Sequence, residues 1–203
     1  MCRPGRAVQY SPRTKCCTFL PQLTNFAVGI AIRDRPERIE PSPRHRRTPL
    51  GMIAAPGEQQ RYEAMVARDG FGRELGLRCP FYAEASGRCT IWAAREAQCG
   101  TWFCAHDHGP RGRAMWQAAL ELLRTVEAAL ARWCVAEAGL DLRRAGEDDA
   151  GAWATWWGRE AEFYLGCLAV VDALDAAELR RLLPPGHAAQ RDALLRAHAE
   201  LSP

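Results

Sequence analysis

Along residues 112–138 apolar side chains return every three or four positions, at Trp116, Ala119, Leu123, Val126, Leu130 and Trp133, with no proline between them. That period lays one apolar stripe along a helix of about seven turns, and Gly139 supplies a stop. A second stripe, Trp153, Trp157, Ala161, Tyr164, Leu168 and Val171, predicts a helix over 152–174, opened by Asp148, Asp149 or the nearby Gly151. Asp175 starts a short third helix that ends before Pro184 and Pro185, and residues 187–201 form a fourth, with Ala193, Leu194, Leu195 and Leu201 on one side. Upstream, Tyr62, Met65 and Val66 predict a helix over 58–68, stopped by Gly70 and Gly72. Residues 26–32 are apolar, but the run is too short for its period to choose between a buried strand and a short helix. Residues 1–15 form a polar arm broken by Pro4 and Pro12. Residues 33–57, with five prolines, predict a long connection with little regular structure.

With 203 residues, 48% hydrophobic and 25% charged, the chain has an ordinary globular composition. It is long enough for one core, or for a small metal-stapled unit joined to a helical one. The formal charge of +3 is carried almost entirely by arginine, Lys15 being the one lysine. The basic run Arg44-His45-Arg46-Arg47 sits between prolines and is expected to be a solvated loop rather than a nucleic-acid contact. Residues 1–15 lack the apolar run of about 7–15 residues of a secretory leader, and no segment approaches the roughly 20 apolar residues of a membrane span. A cytoplasmic location is therefore expected, where thiols stay reduced and clustered cysteines hold metal more often than they form disulfides. Nine cysteines, an odd number, could not all pair within one chain.

Seven of the nine fall before residue 105, and Cys79, Cys89, Cys99 and Cys104 are followed at once by His106 and His108. Nine residues separate Cys79 from Cys89, nine separate Cys89 from Cys99, and four separate Cys99 from Cys104, so the chain can loop back onto one centre. Thiolate sulfur is soft and charged, and four such groups satisfy a tetrahedral zinc ion or one iron-sulfur cluster. Upstream lies the vicinal pair Cys16-Cys17. Neighbouring side chains diverge, so one of these two is expected to serve a second ion or to pack. Six cysteines, Cys2 and one of the two histidines would make eight ligands, enough for two zinc ions, whereas four thiols suffice for a cubane cluster. His106 or His108 beside an open metal position would suit catalysis, although exposed loop histidines are the commoner case. Cys134 and Cys167 lie in apolar helical stretches and are expected in the core. Trp153, Trp156 and Trp157 are expected to pack helices rather than line a pocket. Asp148-Asp149 is expected to be helix N-terminal charge, and His45, His187 and His198 to be surface residues.

The elements Cys79-Pro80-Phe81, Gly87-Arg88-Cys89-Thr90-Ile91-Trp92, Arg95, Cys99 and Phe103-Cys104 resemble those of the YkgJ-like cysteine-cluster family of zinc- or iron-chelating proteins, whose cluster also occurs in flagellin lysine N-methylases. Cys16-Cys17 is similar to that family's upstream double cysteine. The resemblance covers about a quarter of the chain. Three departures stand out: only Cys2, thirteen residues away, precedes the double cysteine where the family usually places two; Glu96 replaces the usual proline after Arg95; and Trp92 stands for tyrosine. What it implies is bound zinc or an iron-sulfur centre, and no particular reaction.

The expectation is thus a mostly α protein in which an irregular, metal-stapled cysteine-rich unit, residues 1–110, packs on a small C-terminal helical bundle, residues 111–203. Its metal ligands are expected to be Cys16, Cys17, Cys79, Cys89, Cys99 and Cys104, holding an iron-sulfur cluster or zinc in place of the hydrophobic interior that the front half lacks. A non-enzymatic module presenting a protein-partner surface is one role. A metal-dependent redox or protein-modifying enzyme, related to the methylases, is the alternative, set back by the absence of a glycine-rich nucleotide motif.

Overall fold

A computed structural model of the chain describes residues 10–36, 39, 42–102 and 108–201. Among these the helices are α1 (Asn25–Asp34), α2 (Glu58–Ala67), α3 (Ala97–Gly100), α4 (Gly109–Glu137), α5 (Ala150–Trp153), α6 (Glu160–Asp172), α7 (Ala176–Leu182) and α8 (His187–Ala199). The strands β1 (Leu23–Thr24), β2 (His45–Thr48) and β3 (Gly51–Ala54) form an antiparallel sheet in the order β1-β3-β2, and β4 (Tyr82–Ala83) pairs with β5 (Arg88–Cys89). No described helix is long and apolar enough to cross a membrane.

The ambiguous run at 26–32 is helical, and its start is tied by one side chain. The fully buried Asn25 donates from Nδ2 to Pro49 O at 3.0 Å and to Ala131 O at 2.9 Å, while its Oδ1 accepts from Phe26 N at 2.8 Å. Those bonds hold the first turn of α1 to the β2–β3 turn and to α4. Midway along, α1 crosses α6 closely because Gly29 has no side chain: a Cβ there would lie 2.3 Å from Tyr164 O.

Residues 33–57 contain a hairpin where a structureless connection was expected. Pro43, Pro49 and Pro56 flank the strands β2 and β3 instead of interrupting them, which leaves the ladder its N–H groups. Gly51 allows the turn, with φ at +134° and no room for a Cβ against Leu23 O. Tyr164 Oη donates to Thr48 O at 2.9 Å, docking the hairpin on α6.

The basic run is therefore not a solvated loop: Arg44 stands in the turn before β2, and His45, Arg46 and Arg47 are on the strand. His45 is buried rather than on the surface, with Nε2 2.8 Å from Pro21 O and its ring 5.6 Å from that of Phe81. Arg44 pairs with the buried Glu58 at 2.6 Å, Arg46 lies 3.5 Å from Asp148, and Arg47 donates to Ile39 O at 2.6 Å.

Helix α4 covers the expected span, but its buried face runs through Ala119, Leu120, Leu130, Ala131, Cys134 and Val135, while Leu123 of the expected stripe is exposed. It stops just before Gly139, whose φ of +71° lets Leu140 N reach back to Val135 O at 3.1 Å. The helix expected over 152–174 is instead broken. Asp149 caps α5 by accepting from Ala152 N, a 3-10 turn covers Ala154–Trp156, and Gly158 at φ +79° precedes α6. In one straight helix Trp153 and Tyr164 would stand about 16 Å apart along the axis. The break brings their ring centres to 5.7 Å, and Trp153 to 5.4 Å from Phe163, both edge-on. Asp175 and Glu178 form a capping box at the start of α7, and α8 packs along α4.

The front half does not lack an interior. Leu23, Val28, Met52, Phe81 and Ile91 pack in one contiguous core with Val135, Trp153, Phe163 and Tyr164, so apolar contact runs straight across residue 110. Cys134 and Cys167 are buried in that core, and Trp153 is 1% exposed whereas Trp157 is 54% exposed.

Candidate metal centre

Three separated segments bring thiols together. The first, around Cys16 and Cys17, is irregular, and buried threonines do the work of a ladder. Thr14 Oγ1 donates to Gly72 O at 2.5 Å, and Thr18 Oγ1 accepts from Gly72 N at 2.8 Å. Cys79 N donates to Cys17 O at 2.7 Å, joining the first segment to the second. Just before it, Arg44 Nη1 donates to Arg78 O at 2.8 Å, so the Arg44–Glu58 pair also fixes the approach to Cys79. The β4–β5 hairpin then turns at Gly87, φ +63°, and sets Cys89 opposite Tyr82. In the third segment, Glu96 accepts from Gln98 N and Cys99 N, each at 2.8 Å, and Glu127 of α4 accepts from Ala97 N at 3.2 Å. Two carboxylates thereby hold the turn that carries Cys99.

Cys16, Cys17, Cys79, Cys89 and Cys99 all line one cavity of about 960 Å3. Cys79 is buried and the other four are half-buried. The Cys16 and Cys17 thiols do not diverge: they hydrogen-bond to each other and face the same space. That bond draws the Cys16 thiol down to about 7 and pushes Cys17 up. Burial pushes Cys79 up to about 12 and raises Cys89 and Cys99 as well, with the Glu96 carboxylate adding to the rise at Cys99. One feature opposes burial at both Cys79 and Cys89, because the backbone N–H two residues on, of Phe81 and of Ile91, is directed at the sulfur and favours its thiolate.

Among the described residues, no three His, Cys, Asp or Glu side chains are gathered closely enough to hold a metal ion. The thiols ring a volume rather than a point. Their chemistry suits zinc or an iron-sulfur cluster, but they do not form a closed shell. Cys2, Cys104 and His106 lie outside the described residues. His108 is exposed, precedes α4 and is not on the cavity wall. Cys134 and Cys167 are far from this role, since the Cys134 thiol bonds to Cys167 O at 3.7 Å inside the core.

Sequence reasoning missed the supports. Glu96 stands three residues before Cys99, the spacing of a capping side chain, and could have been read as one. Glu127, Arg44 and the two threonines carry no local signal. Comparison with protein-family models, curated proteins and solved structures finds no match.

Proposed function

We propose that the chain is a metal-binding protein whose cysteine cluster holds an iron-sulfur cluster or zinc. The observation that carries this is five cysteines from three distant segments lining one cavity at the edge of the apolar core, which Cys79 joins and Cys17 and Cys89 pack against, whereas Cys134 and Cys167 are buried in that core away from the cavity wall. Backbone N–H groups aimed at Cys79 and Cys89 support it, since they stabilise the thiolate form that a metal requires. An iron-sulfur cluster is the preferred occupant, because spaced thiols suit a body larger than a single ion. Cys104, next along the chain from Cys99, is the proposed further ligand.

Elemental analysis and an absorption spectrum of anaerobically purified protein test the proposal. Near-stoichiometric iron with inorganic sulfide and visible absorption is expected; stoichiometric zinc in a colourless protein would also support metal binding. Neither metal above trace level would overturn it. Cys89→Ala and Cys99→Ala should each lose most of the metal, whereas Cys134→Ala should retain it. A second reading, a metal-dependent redox or protein-modifying enzyme, is favoured by the open volume beside the thiols, which leaves space for a reactant.

A further inference from the structure

The cavity has walls that metal binding does not require. One side is a run of rings: Phe19 meets Tyr62 at 5.7 Å, Tyr62 meets Phe71 at 6.4 Å, and Phe71 meets Trp102 at 5.4 Å between centroids. Facing the same space are four cationic side chains, Lys15, Arg88, Arg95 and Arg124, and no carboxylate among the described lining residues. Lys15 bonds to Gly87 O at 2.7 Å and Arg124 to Gln98 Oε1 at 2.7 Å, and none of the four forms an ion pair with a described carboxylate. Lys15, Arg88 and Arg124 are exposed on the rim, whereas Arg95 is half-buried and its guanidinium lies 3.4 Å above the centre of the Trp92 ring.

Two N–H groups on this wall are buried without an acceptor, Arg95 Nε and Trp102 Nε1. A buried donor with no partner costs about 1–3 kcal/mol, and both of these belong to residues that line the cavity. At about 960 Å3 the space matches a small organic ligand better than a lone ion.

We propose that the cavity binds a flat aromatic acid, its ring system lying against Phe19, Tyr62, Phe71 and Trp102 and its carboxylate or phosphate accepting from Arg95. Rings set edge-on or tilted to one another offer apolar faces and edges to the planar body, and a guanidinium fork recognises the anion. The inference goes beyond metal binding and is separable from it, because the rings and N–H donors belong to the polypeptide. If the cations serve only to balance a negatively charged metal–thiolate centre, no preference for an anionic ligand follows.

Calorimetric titration of the full chain, with metal content measured on the same sample, distinguishes these cases. The probes are 2-naphthoate, 2-naphthyl phosphate and the neutral 2-naphthamide. At least one of the two anions is expected to bind at one site per chain, at least tenfold more tightly than the amide, and which anion wins identifies the carboxylate or phosphate class. Arg95→Gln should remove that preference, weakening the anion far more than the amide. Should Arg95→Gln fail to fold, Trp102→Phe, which keeps the ring and deletes the donor, is expected to weaken anion binding several-fold. The proposal is overturned if neither anion saturates a site, if the amide binds as tightly as both, or if a folded Arg95→Gln or Trp102→Phe chain keeps the anion preference in full. Iron and zinc at no more than trace level, with this preference intact, would overturn the metal reading alone.

Discussion

The core around α1, α5 and α6 and the cysteine-lined cavity are neighbours held by different forces. In the core, Val28, Trp153, Phe163 and Tyr164 touch one another over apolar surface, and a close helix crossing at Gly29 needs only the absence of a side chain. Around the cavity the backbone is mostly irregular, so its polar groups must find partners outside regular ladders. Thr14, Thr18, Glu96, Glu127 and the Arg44–Glu58 pair supply them. Apolar packing tolerates local adjustment, whereas a loop held by a few directed bonds loses its position when one is removed. The cavity should therefore be separable from the core by mutation.

The largest effect is expected on the core side. Trp153→Ala deletes a fully buried indole from a cluster of four rings and should cost about 3–5 kcal/mol, measured by chemical denaturation. Equal loss from Trp157→Ala, whose ring is largely exposed, would break the contrast. Next comes Glu58→Gln, which leaves the half-buried Arg44 without its carboxylate and should cost about 3 kcal/mol. Because Arg44 also holds Arg78 O, this variant should lower metal occupancy more than Trp153→Ala does at matched fraction folded.

Two pH effects are smaller. Burial depresses the His45 imidazole below its ordinary 6.5, so the neutral ring is the form the fold prefers. The facing Arg44 adds to that depression, while Pro21 O and Glu58 oppose it. The stability it contributes is present above about 6.5 and is lost as pH falls through and below that value. His45→Gln should flatten this acid limb in thermal melts at pH 5 to 7, values set by the ordinary imidazole range; an unchanged limb would assign it to another group. Burial and the nearby Glu96 raise Glu127 to about 7, against the Ala97 N–H and Arg124, which pull it down. A raised carboxyl is worth most below its ordinary 4.5, and its contribution disappears as pH rises through about 7. Glu127→Gln should remove that decline, giving a flatter melting temperature between those limits and a slightly higher one at pH 8, measured in the same melts.

Much of the helical plan was legible from spacing alone. The stripe from Trp116 to Trp133 and the stop at Gly139 gave α4 to within a few residues, and Asp175 marked the start of α7. The crowding of cysteines between Cys79 and Cys104 was equally plain, and the metal-binding proposal starts from it. Residues 33–57 and 152–174 misled for opposite reasons. Proline density hid a hairpin whose strands lie between the prolines. An unbroken apolar period hid a break between α5 and α6 that seats Trp153 against Tyr164.

Local rules sufficed wherever the deciding partner was a few residues away, as in a helical turn, a cap or a glycine stop. They gave no access to what is joined across long separations: Asn25 to Ala131, Thr48 to Tyr164, Ala97 to Glu127 and Cys17 to Cys79. Those contacts decide that five thiols share one cavity, that two adjacent ones face it together, and that the front half has an interior of its own. The chain by itself determined which groups were available for chemistry. Only the packed molecule decided their company, because a hydrogen bond or a buried contact between distant segments leaves no period in the residues that make it.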